Sequence, residues 1–495
     1  MLKGKKISFH LMQLCIEAGF AITLVVINII RILNIPITID ETGYQKNDSY
    51  SNLVQEKLGH ANNHIFHSLL RKFFAELFTD DLFFLRLDSL IAQVLYLVYS
   101  WLICRVLFTN KWWQFCSFII LNISSPFLFN FWGLSRGYAL SVTCMTISIY
   151  YLLKYLIGRR ALFLSISYLG AILAVYSNFS LLNYFVTLFS VIILQIFLFK
   201  NNLTPKGYLA KQIAISLFAL AILAILITAP LMHIYHFGEL SFMGNSGFIN
   251  DTVKSLVGDG LYLRDPSGSV VVRIISWSLI FTSILSGFYW IFNLVRSRYL
   301  KINTVLHLQY GVVLCLLLII PAISIIGQHL LFNINYITDR AALFFIPLLL
   351  LCLLYSLSVL KQQWDIASTA IITCLMLVLS YNFIININTT STLLWWFDAD
   401  DLHVLKRITD DSKNKQGKLK IHTYWIFGPA FYYDTHKYYP DKFENLNWDN
   451  MSVLGIDTSY DFYYVVSTDN TDTLVKYYHR DGSYLGGGAT LYKKN

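Results

Sequence analysis

Long apolar runs separated by short polar connections dominate the chain up to about residue 390. Runs of about 20 apolar residues match roughly 30 Å of bilayer hydrocarbon. They predict helices over 10–32, 84–108, 112–131, 137–157, 161–178, 181–199, 208–230, 272–295, 303–326, 341–360 and 366–386, about eleven spans. Beyond residue 391 the pattern changes to short β-like runs, LKIHTYWIF and DFYYVVS, divided by turns rich in Asp, Asn and Gly. The expected architecture is a polytopic α-helical membrane protein. A transmembrane domain occupies 1–390 and a small C-terminal α/β extracytoplasmic domain occupies 391–495.

Two longer polar segments interrupt the helices. In the first, 33–83, the stretch NNHIFHSLLRKFFAELF (62–78) sets apolar residues at helical spacing among Arg71, Lys72 and Glu76. That pattern predicts an amphipathic helix lying in the membrane interface, and 49–58 reads as a shorter one. The second, 231–271, holds glycines at 238, 244, 247, 258, 260 and 268. Such freedom predicts a loop of several conformations, either a lid over a membrane-facing cleft or a plain mobile loop.

Composition agrees with this picture. Of 495 residues 56% are hydrophobic and 14% charged, against ~25% charged in soluble proteins. The formal net charge of +9 is carried largely by alternate connections. Lys3, Lys5, Lys6, Lys111, Lys154, Arg159, Arg160, Lys200, Lys206, Lys211, Arg296, Arg298, Lys301 and Lys361 fall in one set. Asp40, Glu41, Asp48, Glu56, Glu76, Asp80, Asp81, Glu239, Asp251, Asp259, Asp265 and Asp339 fall in the other. The positive-inside rule makes the first set cytoplasmic, so the N-terminus is expected inside and the C-terminal domain outside. No basic soluble domain suits nucleic acid. The seven cysteines all lie in apolar runs, which suggests no disulfide framework or thiolate zinc site. No cleavable signal peptide is expected, since the first apolar run is long and lacks a small-residue cleavage site.

Candidate chemistry gathers on the expected outer side. Asp40 and Glu41 stand side by side in IPITIDETGY (35–44), just past the first helix. Acids at that place are functional candidates. A carboxylate there serves as a general base toward a hydroxyl; the alternatives are solvated loop acids or an N-cap. His60, His64 and His67 fall at helical spacing on one face, a pattern that suits a divalent metal with Asp40 or Glu41, a phosphate donor at His64, or interfacial anchoring. Arg136 in FWGLSRGYAL and Arg340 in NINYITDRAALFFIPLLL each begin an apolar helix. Guanidinium forks suit phosphate; the alternatives are snorkelling for Arg136 and a pair with Asp339 for Arg340. Arg86, in FFLRLDSL, reads as structural.

The order of these motifs resembles the GT-C superfamily of polyprenyl-phosphate-sugar-dependent glycosyltransferases, such as protein O-mannosyltransferases and the lipid A aminoarabinose transferase. It is carried by a first helix, the Asp-Glu pair, NNHIFHSLL, LRLDSL, SRGYAL, YITDRAALFFIPLL and a terminal domain beginning WWFDADDLHVLKRI. The resemblance implies a sugar donor on a polyprenyl phosphate, a hydroxyl acceptor on protein, glycolipid or polymer, and inversion at the anomeric carbon. It implies Asp40 as general base, Arg136 and Arg340 on the leaving phosphate with His64 assisting, and Glu41 as a place for a divalent metal or the acceptor. A proline usual in the LRLDSL pattern is Asp88 here.

A different class, a transporter or flippase of lipid-linked sugars, predicts ionisable residues in mid-span and broken helices. Glu17 is the clear mid-span acid, whereas the other polar groups collect at one rim, which favours an enzyme over a transporter or an inactive scaffold. The Lys- and Asn-rich composition and absent disulfides point to a bacterial inner membrane, active face toward the periplasm.

Overall fold

The structure, a computed structural model, describes residues 2–43, 50, 64–198, 206–238, 244–266, 268–299, 306–360, 365–444, 446–449, 456–466, 474–484, 486 and 488–495. The chain divides into two compact units, one of 1–28 and 48–387, the other of 29–47 and 388–495. The segment of Asp40 and Glu41 thus groups with the C-terminal part of the chain.

The larger unit is helical. Its elements are α1 (Leu2–Asn34, which runs on past the unit boundary), α2 (Ile65–Leu77), α3 (Leu87–Leu107), α4 (Lys111–Ile123), α5 (Pro126–Trp132), α6 (Gly137–Gly158), α7 (Ala161–Ser177), α8 (Leu182–Leu198), α9 (Lys206–His236), α10 (Lys254–Gly260), α11 (Val270–Tyr299), α12 (Leu306–Phe332), α13 (Phe345–Leu360) and α14 (Asp365–Asn386). Each expected span except 112–131 forms one helix within the described residues. Among the described residues seven are long and apolar enough to cross a membrane, or eight if α4 and α5 are one span, and three more apolar helices are shorter. The protein is therefore a multi-pass membrane protein.

The run expected as one helix over 112–131 is broken. α4 and α5 meet at 71°. Pro126 begins α5, and the Ser125 hydroxyl accepts from the Leu128 N–H at 3.1 Å. Proline removes a donor and clashes with the preceding turn, so a new helix starts there instead.

Small residues let α6 and α7 approach closely. A side chain at Gly170 would meet the Cys144 carbonyl at 2.9 Å. Beside it the Ser167 hydroxyl donates to the Ser148 carbonyl at 2.9 Å, and the Tyr184 hydroxyl donates to Ser148 Oγ at 2.9 Å. Helices in lipid associate through such packing and hydrogen bonds rather than through hydrophobic expulsion.

The glycine-rich segment is described over 244–266. Its start pairs antiparallel with Tyr336, N–H to carbonyl in both directions at 3.1 and 2.7 Å. Asp251 accepts from the Ser246 and Gly247 N–H groups at 2.6 and 2.8 Å, opening a π-helical turn, Phe248–Val253, that leads into α10. Thr252 donates to the Ile337 carbonyl at 2.7 Å. Gly258 is dictated by packing, since a Cβ there would sit 2.3 Å from Pro266. The segment lines part of an apolar cavity of 1250 Å³, whose wall includes Phe248, Val257, Leu279, Ile323, Leu350 and Leu379. The expected amphipathic helix is present as α2, while 49 and 51–58 of the shorter one and His60 lie outside the described residues.

The second unit is α/β, as the sequence pattern predicts. Strands β1 (Ile421–Tyr424), β2 (Asn447–Asp449), β3 (Phe462–Val466), β4 (Tyr478–Tyr484) and β5 (Ala489–Lys494) form a mixed sheet in the order β2-β1-β3-β5-β4. The β1 pairs are parallel; β5 pairs antiparallel with β3 and β4. Helices α15 (Asp401–Asp411) and α16 (Gly428–Tyr438) supply Val404, Leu405, Ile408 and Phe431 to the core over Ile421, Tyr464 and Leu491. Buried Arg31, at the end of α1, donates to the carbonyls of Asn388 and Ser391 within this unit.

Candidate functional site

In the membrane unit the three residues expected to serve a phosphate converge on Tyr138. Arg340 Nε donates to the Tyr138 hydroxyl at 3.2 Å. The Arg136 guanidinium lies 5.7 Å from the Tyr138 ring centroid, and the His64 ring packs edge-on at 4.4 Å. Tyr138, Arg136 and His64 are buried and Arg340 is half-buried. The placement follows from local sequence. Arg136 is the extended residue before α6, Gly137 opens the helix, and Tyr138 lies on its first turn. His64 is the residue before α2. Gly137 is what lets these elements meet: a Cβ there would fall 2.4 Å from His64 Cβ and 2.5 Å from the Ser177 carbonyl.

His64 is held by its own hydrogen bond. Nδ1–H donates to the Ser177 carbonyl at 2.7 Å, because a carbonyl only accepts. Burial first, then the charge of Arg136, pushes the imidazole well below its ordinary pKa. The neutral ring has spent its one N–H, leaving Nε2 without a hydrogen-bond partner. It braces Tyr138.

His67, one turn on, is engaged elsewhere. Nδ1 meets the buried Asp88 carboxylate and Nε2 lies 3.2 Å from Ser135 Oγ. The Ser135 hydroxyl donates to the Leu85 carbonyl at 2.8 Å, so its oxygen accepts from His67 and from Arg71. Ser89 donates to the Leu134 carbonyl at 2.7 Å. This network welds LRLDSL to SRGYAL and fixes the backbone that carries Arg136. Asp88, where the resembling pattern has proline, is therefore used.

Next to Arg340 in sequence stands Asp339, and its charge acts in turn on Asp259 of α10, an acid that the sequence reading did not single out. Asp339 takes a positive φ of 44° and its N–H donates to Ser255 Oγ of α10 at 3.0 Å. Asp259, near the end of α10, is buried, with Oδ2 unpartnered. Burial, reinforced by the Asp339 charge, pushes its carboxyl up to about 8. Burial raises Asp339 too, against the opposing pull of Arg340.

The second unit holds the other expected residues. Asp40 lies in a 3-10 turn, Ile39–Glu41, and is half-buried. Glu41 is consumed locally: its carboxylate accepts from the Thr38 N–H at 3.0 Å and from Thr38 Oγ1 at 3.1 Å. That is a capping-box arrangement. Among the described residues no group of three or more His, Cys, Asp or Glu is placed to hold a metal.

Around this turn stand acids that the sequence reading passed over. Asp398 accepts from the Ile39 N–H at 3.0 Å. Asp401, at the start of α15, is fully buried with neither carboxylate oxygen hydrogen-bonded. Burial, then neighbouring acids, raises both well above the ordinary carboxyl range: Glu41, Asp434 and Asp40 act on Asp398, and Asp398, Asp434 and Asp400 act on Asp401. The signal lay in WWFDADDLHVL, where Asp401 falls at the helical spacing of Val404 and Leu405, the apolar face of α15.

Glu17, the mid-span acid that spoke for transport, pairs with Arg105 and accepts from Trp101 Nε1 at 2.8 Å and Gln13 Nε2 at 2.7 Å. A buried carboxylate satisfied in this way is a packed structural group.

No protein-family model matches the sequence, and no curated protein matches it. Solved structures are similar in fold. A crystal structure of the Archaeoglobus fulgidus oligosaccharyltransferase, in complex with zinc and sulfate, aligns over 96% of this chain and 73% of its own, at 14% identity and TM-score 0.45. ArnT from Cupriavidus metallidurans in the apo state aligns over 96% and 97%, at 9% identity and TM-score 0.45. The same ArnT bound to undecaprenyl phosphate aligns over 97% of both chains, at 9% identity and TM-score 0.42. Similarity of this degree identifies no residue and no reaction of this chain.

Proposed function

We propose that this protein is an integral-membrane inverting glycosyltransferase that moves a sugar from a polyprenyl-phosphate donor to a hydroxyl acceptor at the outer membrane face. The observation that carries the reading is the pair of arginines on Tyr138, in the same helical unit as an apolar cavity of 1250 Å³. Tyr336, four residues before Arg340, is in that cavity's lining. A lipid phosphate needs both features, an apolar channel for the tail and cations for the head.

In this reading the acceptor oxygen attacks the anomeric carbon. The bond from that carbon to the phosphate oxygen breaks, and its electron pair leaves with the lipid phosphate. Arg136 and Arg340 stabilise the charge that develops there. Asp40 takes the acceptor's proton. The products are a glycoside and a polyprenyl monophosphate. His64 serves as a neutral brace for Tyr138 rather than a phosphate donor. The basic connections then face the cytoplasm and the C-terminal unit the periplasm of a bacterial inner membrane.

The test is turnover of radiolabelled polyprenyl-phosphate sugars by the full chain in liposomes. Wild type releases or transfers the sugar, and Arg340→Ala loses rate by roughly 100-fold, the scale of a lost charge-stabilising donor. Labelled lipid that crosses the bilayer with its sugar–phosphate bond intact would instead establish a transporter.

A further inference from the structure

A second cavity, of 820 Å³, lies in the helical unit where α3, α11 and α13 end and α4, α12 and α14 begin. Leu107, Trp113, Trp290, Arg296, His307 and Tyr355 are among its lining residues. It stands at the membrane surface opposite the arginine pair. The first residues of α3 belong to the network that fixes Arg136. At 1.5 Å per residue, the 21 residues of α3 set Leu107 roughly 30 Å from that start. That is the thickness of the hydrocarbon layer, so the cavity lies at headgroup depth.

Its wall is held in place by named contacts. The Trp290 indole stacks on Tyr355, 5.6 Å between centroids, and donates to Ser356 Oγ at 2.9 Å. Gly311 makes room for it, since a Cβ there would fall 2.3 Å from the indole. The Tyr355 hydroxyl donates to the His307 carbonyl at 3.0 Å and accepts from His307 Nδ1 at 3.1 Å. Hydrogen-bond donors remain unused on the same wall. The indole N–H of Trp113, 1% exposed, has no partner, and a buried donor in that state is destabilising until an acceptor meets it. Asn110 Oδ1 accepts from the Trp112 and Trp113 N–H groups at 2.9 and 3.2 Å, which leaves its amide N–H groups as donors. Arg296 has no ion-pair or hydrogen-bond partner among the described residues.

The titratable groups of opposite sign in the described lining are Arg296 and His307 against Asp365. Asp365 opens α14, where a carboxylate complements the helix dipole. In sequence the connections that meet here, 108–111, 299–306 and 360–365, carry Lys111, Lys301 and Lys361 against that one acid. A basic rim at headgroup depth attracts anionic lipid, and Trp and Tyr walls suit the membrane interface. A phosphodiester accepts from a guanidinium, an indole N–H and an amide N–H together. We propose that this cavity binds the phosphate headgroup of an anionic glycerophospholipid from the leaflet opposite the arginine pair. Arg296 is its cation, and Trp113 and Asn110 supply further donors. The site is separate from Tyr138 and its arginines and does not depend on the glycosyltransferase reading.

The experiment measures equilibrium binding of radiolabelled dioleoylphosphatidylglycerol to the delipidated full chain in detergent, with dioleoylphosphatidylcholine and inorganic phosphate as competitors. Wild type should bind the anionic lipid more tightly than the zwitterionic one, and Arg296→Ala should lose roughly tenfold in affinity, the worth of a hydrogen bond to a charged group. Arg296 is exposed, so its replacement leaves the fold intact. Trp113→Phe keeps the ring and removes the N–H, and should weaken binding about fivefold, the worth of a neutral hydrogen bond. Arg160→Ala removes a charge from another basic connection, outside the lining, and should bind as wild type. Equal affinity for the two lipids, wild-type affinity in Arg296→Ala, or the same loss in Arg160→Ala overturns the assignment. Displacement of the lipid by millimolar inorganic phosphate overturns it in favour of a free phosphate.

Discussion

Replacing Gly137 with alanine tests the packing on which the cation group depends. The new methyl would stand 2.4 Å from His64 Cβ and 2.5 Å from the Ser177 carbonyl oxygen. Ordinary contact begins near roughly 3.5 Å, so the methyl must wedge His64 and the Ser177 backbone away from α6 and from each other by about 1 Å. One of the two obstacles is backbone and no rotamer change relieves it. A shift of that size takes the 2.7 Å bond from His64 Nδ1 to Ser177 beyond hydrogen-bonding range. Overpacking costs about 1–3 kcal/mol, and a buried donor and acceptor left apart cost about 1–3 kcal/mol more. The expected loss is roughly 2–6 kcal/mol, with Tyr138 displaced from Arg340. The assay is the unfolding midpoint in detergent together with donor turnover. Gly327→Ala is the control, since a Cβ there meets nothing within 4 Å and alanine is the better helix former. A Gly137→Ala protein with the wild-type midpoint and turnover would refute the reasoning.

Three further predictions follow from the site. Tyr138→Phe keeps the ring against His64 and removes the oxygen that Arg340 Nε donates to; donor KM should rise roughly tenfold, the worth of a hydrogen bond to a charged group, with kcat little changed. Glu41→Gln keeps an acceptor for the Thr38 N–H and should retain wild-type turnover without added metal; loss of turnover restored by a divalent ion would show the capping assignment to be wrong. Asp401 is raised in the folded protein, so the native state holds a proton that the unfolded chain releases. Its contribution is therefore complete below the ordinary carboxyl pKa and lost as pH rises toward the folded value, with a slope of up to about 1.4 kcal/mol per pH unit. Asp401→Asn should flatten the fall in unfolding midpoint above pH 4; an unchanged slope would place the proton elsewhere.

Most of the helical fold was legible because apolar runs in lipid have few alternatives to helix. The break at Pro126 was legible too, in the Ser-Ser-Pro run, but the largely apolar stretches on either side masked it. The Thr38-Ile39-Asp40-Glu41 run carries the Thr-x-x-Glu signature of a capping box, which separates Glu41 from Asp40 in role. Arg136 and Arg340 stood out because a guanidinium beginning an apolar helix is conspicuous. Tyr138 did not, since its part depends on three partners distant in sequence. Asp259 read as one acid in a glycine-rich loop; the residues around it are held by Asn130 on Tyr262, Asn382 on Gly260 and Pro266 against Gly258, pairings that no local pattern reveals. The grouping of 29–47 with 388–495 is likewise a long-range fact, made by Arg31 and Asp398.

The central claim is that Asp40 is the base of a sugar transfer, and Asp40→Asn tests it most directly, because the amide keeps the shape and removes the base. Binding and turnover of a radiolabelled polyprenyl-phosphate sugar would be measured side by side for wild type and variant. The account predicts that the variant binds donor as wild type does and loses turnover by roughly 100-fold or more, the scale of general-base catalysis. Equal turnover by the two proteins would contradict it.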